Sequence, residues 1–257
     1  MKPNETTPTN ETDFVIGRHP VVSALKSDQE ANKLFLQTGI NENEPVIATA
    51  IKLANKKRLV ISKVPKQKLD QMTHHQNHQG IVLGVAAFKY AEIDDLFDNA
   101  AAKNETPFLI ILDNIEDPHN LGSIIRTADA AGVHGIIIPK HRAVGLTATV
   151  AKTSAGAIER VPVARVTNLT NTIKELKDRG VWIFGTDMKG TDYRRWNASG
   201  ASALIIGNEG KGISPLVKKQ VDEMLTIPMV GDIQSLNASV AASVLIYQGY
   251  NTRHPLS

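Results

Sequence analysis

The hydrophobic positions of the chain form two series with different spacing. Between residues 14 and 88, short apolar stretches such as KLFLQ (33–37) and GIVLGVAAF (80–88) predict strands separated by helical segments. From Pro107 onward, continuous apolar runs such as FLIILD and ALIIG alternate regularly with helical patterns. Runs of this kind are typical of strands buried on both faces of a parallel sheet. The pattern therefore predicts a small α/β module followed by an α/β domain with a mainly parallel sheet.

The same pattern, with the charges, sets the predicted domain boundaries. Residues 1–13 are polar and predict a disordered tail, and 14–88 form the first domain. Residues 89–105 predict a linker, itself partly helical, and 106–257 form the second domain. The first domain has ten Lys or Arg against five Asp or Glu, whereas the linker has two against five. A basic module beside an acidic connector favours a surface that faces nucleic acid, although chance variation explains it equally well.

Composition excludes several classes of protein. The chain has 257 residues, 42% of them hydrophobic, which is ordinary for a soluble protein with a sizeable core. It contains no apolar run of about 18 residues, so no membrane span is expected. The polar N-terminus predicts no secretory signal. The absence of cysteine excludes disulfides and thiolate zinc sites and fits a cytoplasmic location.

The stretch PHNLGSIIRTADAAG (118–132) predicts an amphipathic helix with one unusual cation. Asn120 is the expected N-cap and Gly132 the expected stop signal. Arg126 lies opposite the apolar stripe, next to the small residues Gly122 and Ser123. A solvated arginine is the simplest interpretation. However, small neighbours allow another backbone, subunit or ligand to come close, so the stretch also fits a contact surface with one fixed cation.

Three loops at predicted strand ends could carry chemistry: DNIEDPHN (113–120), GNEGKG (207–212) and PMVGDIQSLN (228–237). Because the carboxyl ends of parallel strands meet at one edge of a sheet, we expect a shared site there. We expect Glu209 to be held among backbone donors, with helix capping or solvation as the alternative. Ser235 is the expected N-cap of the last helix, which leaves Asn237 unexplained by capping.

Other motifs fit less well. GNEGKG does not have the spacing of a phosphate-binding P-loop, and no G-x-G-x-x-G follows the first strand of the second domain. The segment HHQNH places His74 and His78 four residues apart, but His75 stands where a metalloprotease pattern needs glutamate. An exposed loop, or one that contacts an anionic partner, fits this segment better than a zinc site. No Ser–His–Asp pattern is evident.

Taken together, the three loops resemble the motifs of the SpoU/TrmH family of RNA 2′-O-ribose methyltransferases in the SPOUT superfamily. The resemblance rests on N-x-G-x-x-x-R (120–126), G-x-E-G-x-G (207–212) and I-P-M-x-G…S-L-N-x-S-V-A (227–241), and it covers residues 107–250. Through GRHPVVSAL and HQGIVLGV, the N-terminal module resembles the family's L30e-like substrate-binding domain. His19 stands where that domain usually has asparagine.

The resemblance implies a SPOUT-type α/β fold with a C-terminal trefoil knot, an exception to the unknotted rule. It implies S-adenosylmethionine as cofactor, RNA as partner and a homodimer that places Arg126 near the partner's cofactor. The two-domain layout implies a guanosine of 23S rRNA as the target. The positions that match cofactor-binding residues of the family, largely through backbone groups, are Gly207, Gly212, Ile227, Met229 and Leu236.

The resemblance also implies roles for five side chains. Arg126 is expected to be essential, either as a base or, more easily for a guanidinium, as a clamp for the phosphate and the developing alkoxide. Glu209 and Asn237 would orient Arg126 or the RNA backbone. Asn120 would do the same or shape its loop, and Ser239 would polarise the hydroxyl. No metal is expected.

Three alternatives remain open on the sequence. The chain could methylate tRNA instead of rRNA, it could be a non-catalytic RNA-binding ribosome-assembly factor, or it could be an unrelated nucleotide-binding α/β enzyme. Substrate choice is assigned as a hypothesis to the histidine loop 74–78 and to a basic set comprising Lys56, Lys57, Arg58 and Lys63.

Overall fold

The computed structural model describes residues 14–27, 29–233 and 235–256, and the chain divides into two compact units, residues 1–87 and 88–257. The predicted tail, residues 1–13, lies outside the described residues. Within the described part of the chain, no helix has both the length and the apolar character needed to cross a membrane.

The first unit is a four-stranded sheet with three helices. Its elements are β1 (Phe14–Ile16), α1 (Arg18–Lys26), β2 (Ala31–Gln37), α2 (Pro45–Lys56), β3 (Val60–Val64), α3 (Lys66–Met72) and β4 (Ile81–Val85). The strand order is β1-β4-β2-β3, with β2 and β3 parallel and β4 antiparallel to β1 and β2. Leu34, Leu36 and Ile81 are fully buried and anchor its core. The predicted small α/β module is therefore present.

The second unit contains the remaining elements. These are α4 (Ile93–Ala102), β5 (Phe108–Leu112), α5 (Pro118–Ala130), β6 (Gly135–Pro139), α6 (Ala148–Thr153), β7 (Val163–Val166), α7 (Leu169–Asp178), β8 (Trp182–Asp192), β9 (Ser202–Ile206), α8 (Pro215–Lys218), β10 (Glu223–Thr226) and α9 (Ala238–Arg253). The six strands form one sheet in the order β10-β8-β9-β5-β6-β7. All five strand pairs are parallel, which confirms the predicted parallel α/β domain.

Both faces of this sheet are covered by helices. Phe108 and Ile110 of β5 pack with α5, α6 and α9, whereas the intervening Leu109 and Ile111 pack with α4, α7 and α8. Successive side chains of a strand point to opposite faces, so this alternation follows directly from the pleat. All five residues of β5 are buried, which is why the run FLIIL has no polar position.

The predicted linker, residues 89–105, belongs structurally to the second unit. It contains α4, whose Leu96 is fully buried in the core. A Cβ added to Gly135 of β6 would lie 2.1 Å from Leu96 Cγ, so α4 rests directly on the sheet. The acidic first turn of α4 (Asp94, Asp95) suits a helix N-terminus and accounts for much of the negative charge read as a connector.

A buried histidine supports the start of β6. His134 is fully buried, and its Nδ1 accepts a hydrogen bond of 3.0 Å from the Phe108 backbone N–H. Its Nε2 lies 3.3 Å from the carboxylate of Glu105. Burial, with the nearby Lys103 charge second, lowers the pKa of His134 from 6.5 to about 4. The imidazole is therefore neutral in the folded protein at neutral pH.

This histidine predicts a pH-dependent loss of stability. Between pH 6.5 and about 4, the unfolded chain binds a proton at His134 that the folded chain does not. The unfolding free energy therefore decreases as the pH is lowered through this window, by up to about 3 kcal/mol. Urea unfolding at several pH values measures it. His134→Asn keeps an acceptor for Phe108 and should flatten the curve between those pH values. His141→Asn, at an exposed histidine, is the control and should leave the slope of unfolding free energy against pH unchanged. If His134→Asn also leaves that slope unchanged, His134 is not the source of the pH dependence.

Candidate functional site

The three predicted loops meet at the carboxyl edge of the parallel sheet. They follow β5, β9 and β10 and lead into α5, α8 and α9. Asn208 Nδ2 donates a 3.0 Å hydrogen bond to the carbonyl of Asn114, which ties the second loop to the first. Asn237 Nδ2 donates to Asn120 Oδ1 at 3.1 Å, which ties the third loop to the start of α5. One site at the edge therefore collects all three loops.

At its centre lies a cluster that we call the Asn–Glu–Asn cluster: Asn120, Glu209 and Asn237. Glu209 Oε1 accepts hydrogen bonds from the side-chain amides of both asparagines, at 3.2 Å from Asn237 Nδ2 and in close contact with Asn120 Nδ2. The sequence predicted that backbone donors would hold Glu209. In the structure, two side-chain amides hold it instead. Its second oxygen, Oε2, has no partner among the described residues, so it can accept a hydrogen bond from a ligand.

Asn120 reaches this cluster because it is not the N-cap of its helix. The helix begins at Pro118, before the expected cap. Asp117 is its N-cap and accepts a 2.9 Å hydrogen bond from the His119 N–H. Proline favours the first helical position because its φ is already helical and its missing N–H needs no partner there. The predicted N-cap was therefore wrong. Asn120 sits inside the first turn, buried, and turns its amide to the cluster.

The N-cap prediction for the last helix was also wrong. The helix begins at Ala238, and its cap is Asn237, not Ser235. Asn237 Oδ1 accepts hydrogen bonds from the backbone N–H of Ser239 (2.9 Å) and Val240 (3.3 Å). The same oxygen also accepts a 2.7 Å hydrogen bond from the Ser239 hydroxyl. One side chain thus starts α9 with its oxygen and holds Glu209 with its nitrogen, and this double use explains an asparagine at this place.

These two roles of Asn237 can be separated by substitution. Asn237→Ala removes cap and cluster contact together and should lower the unfolding free energy by about 1–2 kcal/mol. Asn237→Ser keeps a capping oxygen and should recover most of that stability, while the amide donated to Glu209 stays lost. Urea denaturation measures the stability, and the catalytic activity of the site measures the effect of the lost amide. Full activity in the serine variant would show that the amide contact is dispensable.

The second loop is closed by two residues to which the sequence analysis assigned no role. Asn208 Oδ1 accepts from the N–H groups of Gly210 (3.0 Å) and Lys211 (3.2 Å). The buried carboxylate of Asp113 accepts 2.7 Å from the Ser214 N–H. Each is the first or second polar residue after a buried strand, and this position was the available signal.

Glycine at 207 is required by the loop itself. A Cβ there would lie 2.3 Å from the carbonyl carbon of Gly212 and 2.4 Å from the nitrogen of Ile213. The close approach predicted for a ligand is therefore made by the chain's own backbone. A Cβ at Gly212 would have nothing within 4 Å, and one at Gly210 would have only Asn208 Oδ1, at 3.8 Å, so a ligand can approach the loop there.

The residues that match cofactor-binding positions of the SpoU/TrmH family are suited to binding a ligand beside this loop. Gly207 is buried, Ile227 and Leu236 are half-buried, and Gly212 and Met229 are exposed. Among the described residues, no hydrogen bond engages the backbone groups of Gly207, Ile227 or Leu236. Half-buried apolar side chains beside free backbone donors and acceptors suit a nucleoside ligand, which offers both an apolar ring and polar edges.

Arg126 is not part of this cluster within one chain. It lies six residues after Asn120 in α5, about 9 Å further along the axis and on another face. Its side chain is exposed, and among the described residues it forms neither a hydrogen bond nor an ion pair. Of its small neighbours, Gly122 serves packing inside the chain, because a Cβ there would lie 2.5 Å from Thr153 Cβ of α6. The cation itself stays available to a partner.

The histidine loop is held by one of its own members. Each ring nitrogen of His78 is used, because Nδ1 accepts 2.9 Å from the Gly80 N–H and Nε2 lies 3.0 Å from Asp70. His78 is buried, so it cannot pair with His74 as a metal ligand. Within the described residues, no three His, Asp or Glu side chains are grouped as a metal site.

Comparison with known proteins assigns both units. The family model described as "SpoU rRNA Methylase family" matches residues 107–247. A second model, "RNA 2′-O ribose methyltransferase substrate binding", matches residues 14–91. The Bacillus subtilis protein YacO, assigned to the TrmH family of tRNA/rRNA methyltransferases, is 53% identical over 95% of this chain and 97% of its own length.

Solved structures share the fold. An rRNA methyltransferase from Sinorhizobium meliloti with bound AdoMet is 26% identical, with a TM-score of 0.58 over 95% of this chain and 88% of that one. The methyltransferase AviRb from Streptomyces viridochromogenes, in complex with AdoMet, matches with 23% identity and a TM-score of 0.58, covering 93% and 90% of the two chains.

Proposed function

The chain belongs to the SpoU rRNA methylase family, and on that premise we propose that it transfers a methyl group from S-adenosylmethionine to a ribose 2′-hydroxyl in RNA. The observation that carries the proposal is the Asn–Glu–Asn cluster, in which residues from all three motifs meet at one sheet edge. The AdoMet complexes of structural relatives support the cofactor.

The cofactor, when bound, supplies an electrophilic methyl group on a sulfonium. Gly207, Ile227 and Leu236 would hold it through their free backbone groups, with Gly212 and Met229 at the open side. The chain's task is then to hold the hydroxyl in line with that methyl group, and positioning supplies much of the rate. Glu209 Oε2 is free to accept a hydrogen bond from the RNA.

The remaining side chains shape that geometry. Asn120 and Asn237 fix the Glu209 carboxylate, and Ser239 supports Asn237 through its hydroxyl. Arg126 carries a charge that no described residue neutralises, and we assign it to the phosphate next to the reacting ribose and to the alkoxide that develops there. A guanidinium is a poor base at neutral pH, which favours this electrostatic role.

We also propose a homodimer in which Arg126 of one chain serves the cluster of the other. Helix α9 supports it, because this helix is apolar on two sides. Ala242, Leu245 and Ile246 face the core, whereas Val240 and Tyr247 remain 47% and 45% exposed. A helix apolar all round normally has a partner on each side. The exposed side of α9 fits a second copy of the chain.

The dimer gives a direct prediction. Tyr247→Arg places a charge in the centre of this exposed apolar side and should convert the dimer into a monomer with loss of methyl transfer. Light scattering after size exclusion measures the mass. Asn171→Arg, on the exposed face of α7, is the matched control and should leave the dimer intact. A dimer that survives Tyr247→Arg would place the interface elsewhere.

The trefoil knot expected from the resemblance remains a proposal. The strand order supports it, because β9 lies between β5 and β8, and the chain then passes β8 to add β10 on the outside. We also propose that the protein is located in the cytoplasm, since the proposed substrate is RNA.

For the substrate we propose a guanosine of 23S rRNA. The N-terminal unit supports a structured RNA target, since it matches a substrate-binding family model and carries an excess of positive charge. The relatives' names include both tRNA and rRNA, so tRNA is the competing target.

Methyl transfer from radiolabelled S-adenosylmethionine to unmodified 23S rRNA and, separately, to tRNA tests the proposal. We expect label in one ribose of 23S rRNA, mapped by reverse transcription at low nucleotide concentration. Label only in tRNA would keep the chemistry and replace the substrate. RNA binding without label would favour the assembly-factor alternative, and binding of neither RNA nor cofactor would overturn the proposed function.

A further inference from the structure

The N-terminal unit contains a cavity of about 770 Å³. It lies at the carboxyl ends of the parallel strands β2 and β3, lined by Gln37 at the end of β2 and Lys66 just after β3. The stretches RH (18–19) and HQG (78–80), from the two segments that marked this unit in the sequence, meet at this cavity. Its size falls within the range of about 300–1,000 Å³ that is typical of small-ligand sites.

The wall of this cavity is held rigid by buried or fixed groups. The Arg18 backbone N–H donates to Gln79 Oε1 (3.2 Å), and its side-chain Nε donates to the Gln79 carbonyl (3.3 Å). The buried His78 bonds Asp70 and the Gly80 N–H. The end of the loop at residues 78–80 is therefore fastened to α1 and α3.

The backbone of this loop is strained. His74, His75 and Gln79 have φ values of 49°, 61° and 51°, in the left-handed region that residues other than glycine rarely adopt. Such conformations cost free energy and persist where the surroundings enforce them, often at ligand sites. Here the enforcement holds an imidazole and several amides at the rim of a cavity.

The side chains at this rim have no partners inside the protein. Five polar residues line the cavity with side chains that form no hydrogen bond or ion pair with any described residue: His19, Lys66, His75, Gln76 and Asn77. Together they offer one fixed cation, two imidazole rings and two amides. Imidazoles stack on bases, amides read base edges, and a lysine binds phosphate.

The other basic residues of this unit are less suited to the task. Lys63 pairs with Glu42, and Lys57 Nζ donates to the carbonyls of Ser27 (2.6 Å) and Gln29 (3.3 Å). Lys56 and Arg58 precede β3, so they lie at the opposite edge of the sheet from the cavity.

We propose that this cavity binds one unstacked nucleotide of the RNA substrate, with Lys66 on the phosphate and His75, Gln76 and Asn77 on the base. The inference rests on the proposed function, since it names where the RNA substrate is read. The sequence assigned substrate choice to both the histidine loop and the basic set, and the proposal narrows this assignment to the histidine loop and its neighbours at the cavity. Sequence-specific recognition of RNA commonly uses unpaired bases splayed out of the stack, which this cavity can accommodate.

Fluorescence anisotropy with a labelled single-stranded RNA dodecamer of mixed sequence, and with its perfect duplex, tests the inference on the full chain. His75→Ala should weaken single-strand binding about tenfold and leave duplex binding unchanged. His74→Ala is the matched control, because His74 has the same backbone conformation but does not line the cavity. Its affinity should stay within about twofold of the wild type.

Lys66→Ala and Lys68→Ala form a second matched pair on α3, of which only Lys66 lines the cavity. Lys66→Ala should reduce the slope of log affinity against log salt by about 0.7, the value for one phosphate on a single strand, and Lys68→Ala should not. A 4-thiouridine dodecamer should crosslink within residues 74–80.

The outcomes separate the two proposals. If His75→Ala and Lys66→Ala bind RNA as their controls do, or if Lys56→Glu alone weakens binding, the cavity assignment is wrong while methyl transfer by the wild type still supports the function. If crosslinks fall only in residues 88–257, the cavity is not the RNA site. A wild type that transfers no methyl group and binds no RNA overturns both. Circular dichroism of each variant verifies folding, and His75→Gln replaces His75→Ala if needed.

Discussion

Arg126→Ala is expected to lower kcat for methyl transfer by about 10²–10³-fold, the loss seen when one fixed donor to a developing oxyanion is removed. The structure gives the charge of this arginine no other task, because its exposed side chain forms no hydrogen bond or ion pair with any described residue. Cofactor binding and the unfolding free energy should therefore stay at wild-type values. Radiolabel transfer, calorimetric titration with S-adenosylmethionine and urea unfolding measure the three quantities.

Arg160→Ala is the control for this prediction. Arg160 is also an exposed arginine close to α5, but it pairs with Asp129 at 2.6 Å and should be dispensable for activity. Equal losses of kcat in the two variants would show a general charge effect. Full activity in Arg126→Ala would show that Arg126 has no part in the mechanism.

The same variant also tests the exchange of arginines between chains. Arg126→Ala and Asn237→Ala each leave both sites of a homodimer defective. If the arginine of one chain serves the cluster of the other, a mixed dimer contains one intact site, and an equal mixture should recover roughly a quarter of wild-type activity. If Arg126 acts within its own chain, every site keeps one defect and the mixture stays inactive.

Gly207→Ala is expected to weaken S-adenosylmethionine binding about 100-fold. The added methyl group would lie 2.3 Å and 2.4 Å from backbone atoms of Gly212 and Ile213, which cannot rotate away as a side chain could. The loop must therefore shift as a whole, and the loss of two backbone hydrogen bonds to the cofactor, at about 1.4 kcal/mol each, corresponds to that factor. Calorimetric titration measures the affinity, and thermal unfolding measures the accompanying loss of stability.

Gly210→Ala is the matched control in the same loop. Its added Cβ would have only Asn208 Oδ1 nearby, at 3.8 Å, so the loop keeps its shape. We expect nearly wild-type affinity. A comparable loss in both variants would show that glycine is needed at 210 for the ligand itself. Unaltered binding in Gly207→Ala would exclude this loop from the cofactor site.

The fold was predictable because its signals are local and periodic. The buried run FLIIL, the strand–helix alternation and the stop at Gly132, which has φ of 71°, each follow from a few consecutive residues. Helix starts were harder where several capping residues stand close together. Asp117 and Asn120 both qualify as caps, and the competition was decided by Pro118 and by the distant Glu209.

The candidate site was predictable in its members but not in its contacts. Spacing placed three polar loops on one edge, yet it could not say that Glu209 would bond two amides or that Gly122 would pack on α6. Those facts depend on residues far apart in the sequence. The same limit hid the contacts of Asp113 with Ser214 and of Asn208 with Asn114, which join segments about 100 residues apart. The acidic segment 89–105 was predicted as a partly helical linker, and the burial of Leu96 in the second unit depends on residues far away in the sequence.

The Asn–Glu–Asn cluster joins residues 89 and 117 positions apart, and its last member is Asn237. During synthesis the chain therefore lacks a working centre until nearly its whole length has left the ribosome. Pairings over such separations form late, because a long loop must be closed before they contribute. A nascent chain can thus fold its N-terminal unit and engage RNA well before it is able to modify any nucleotide, so that maturation itself withholds activity from unfinished molecules.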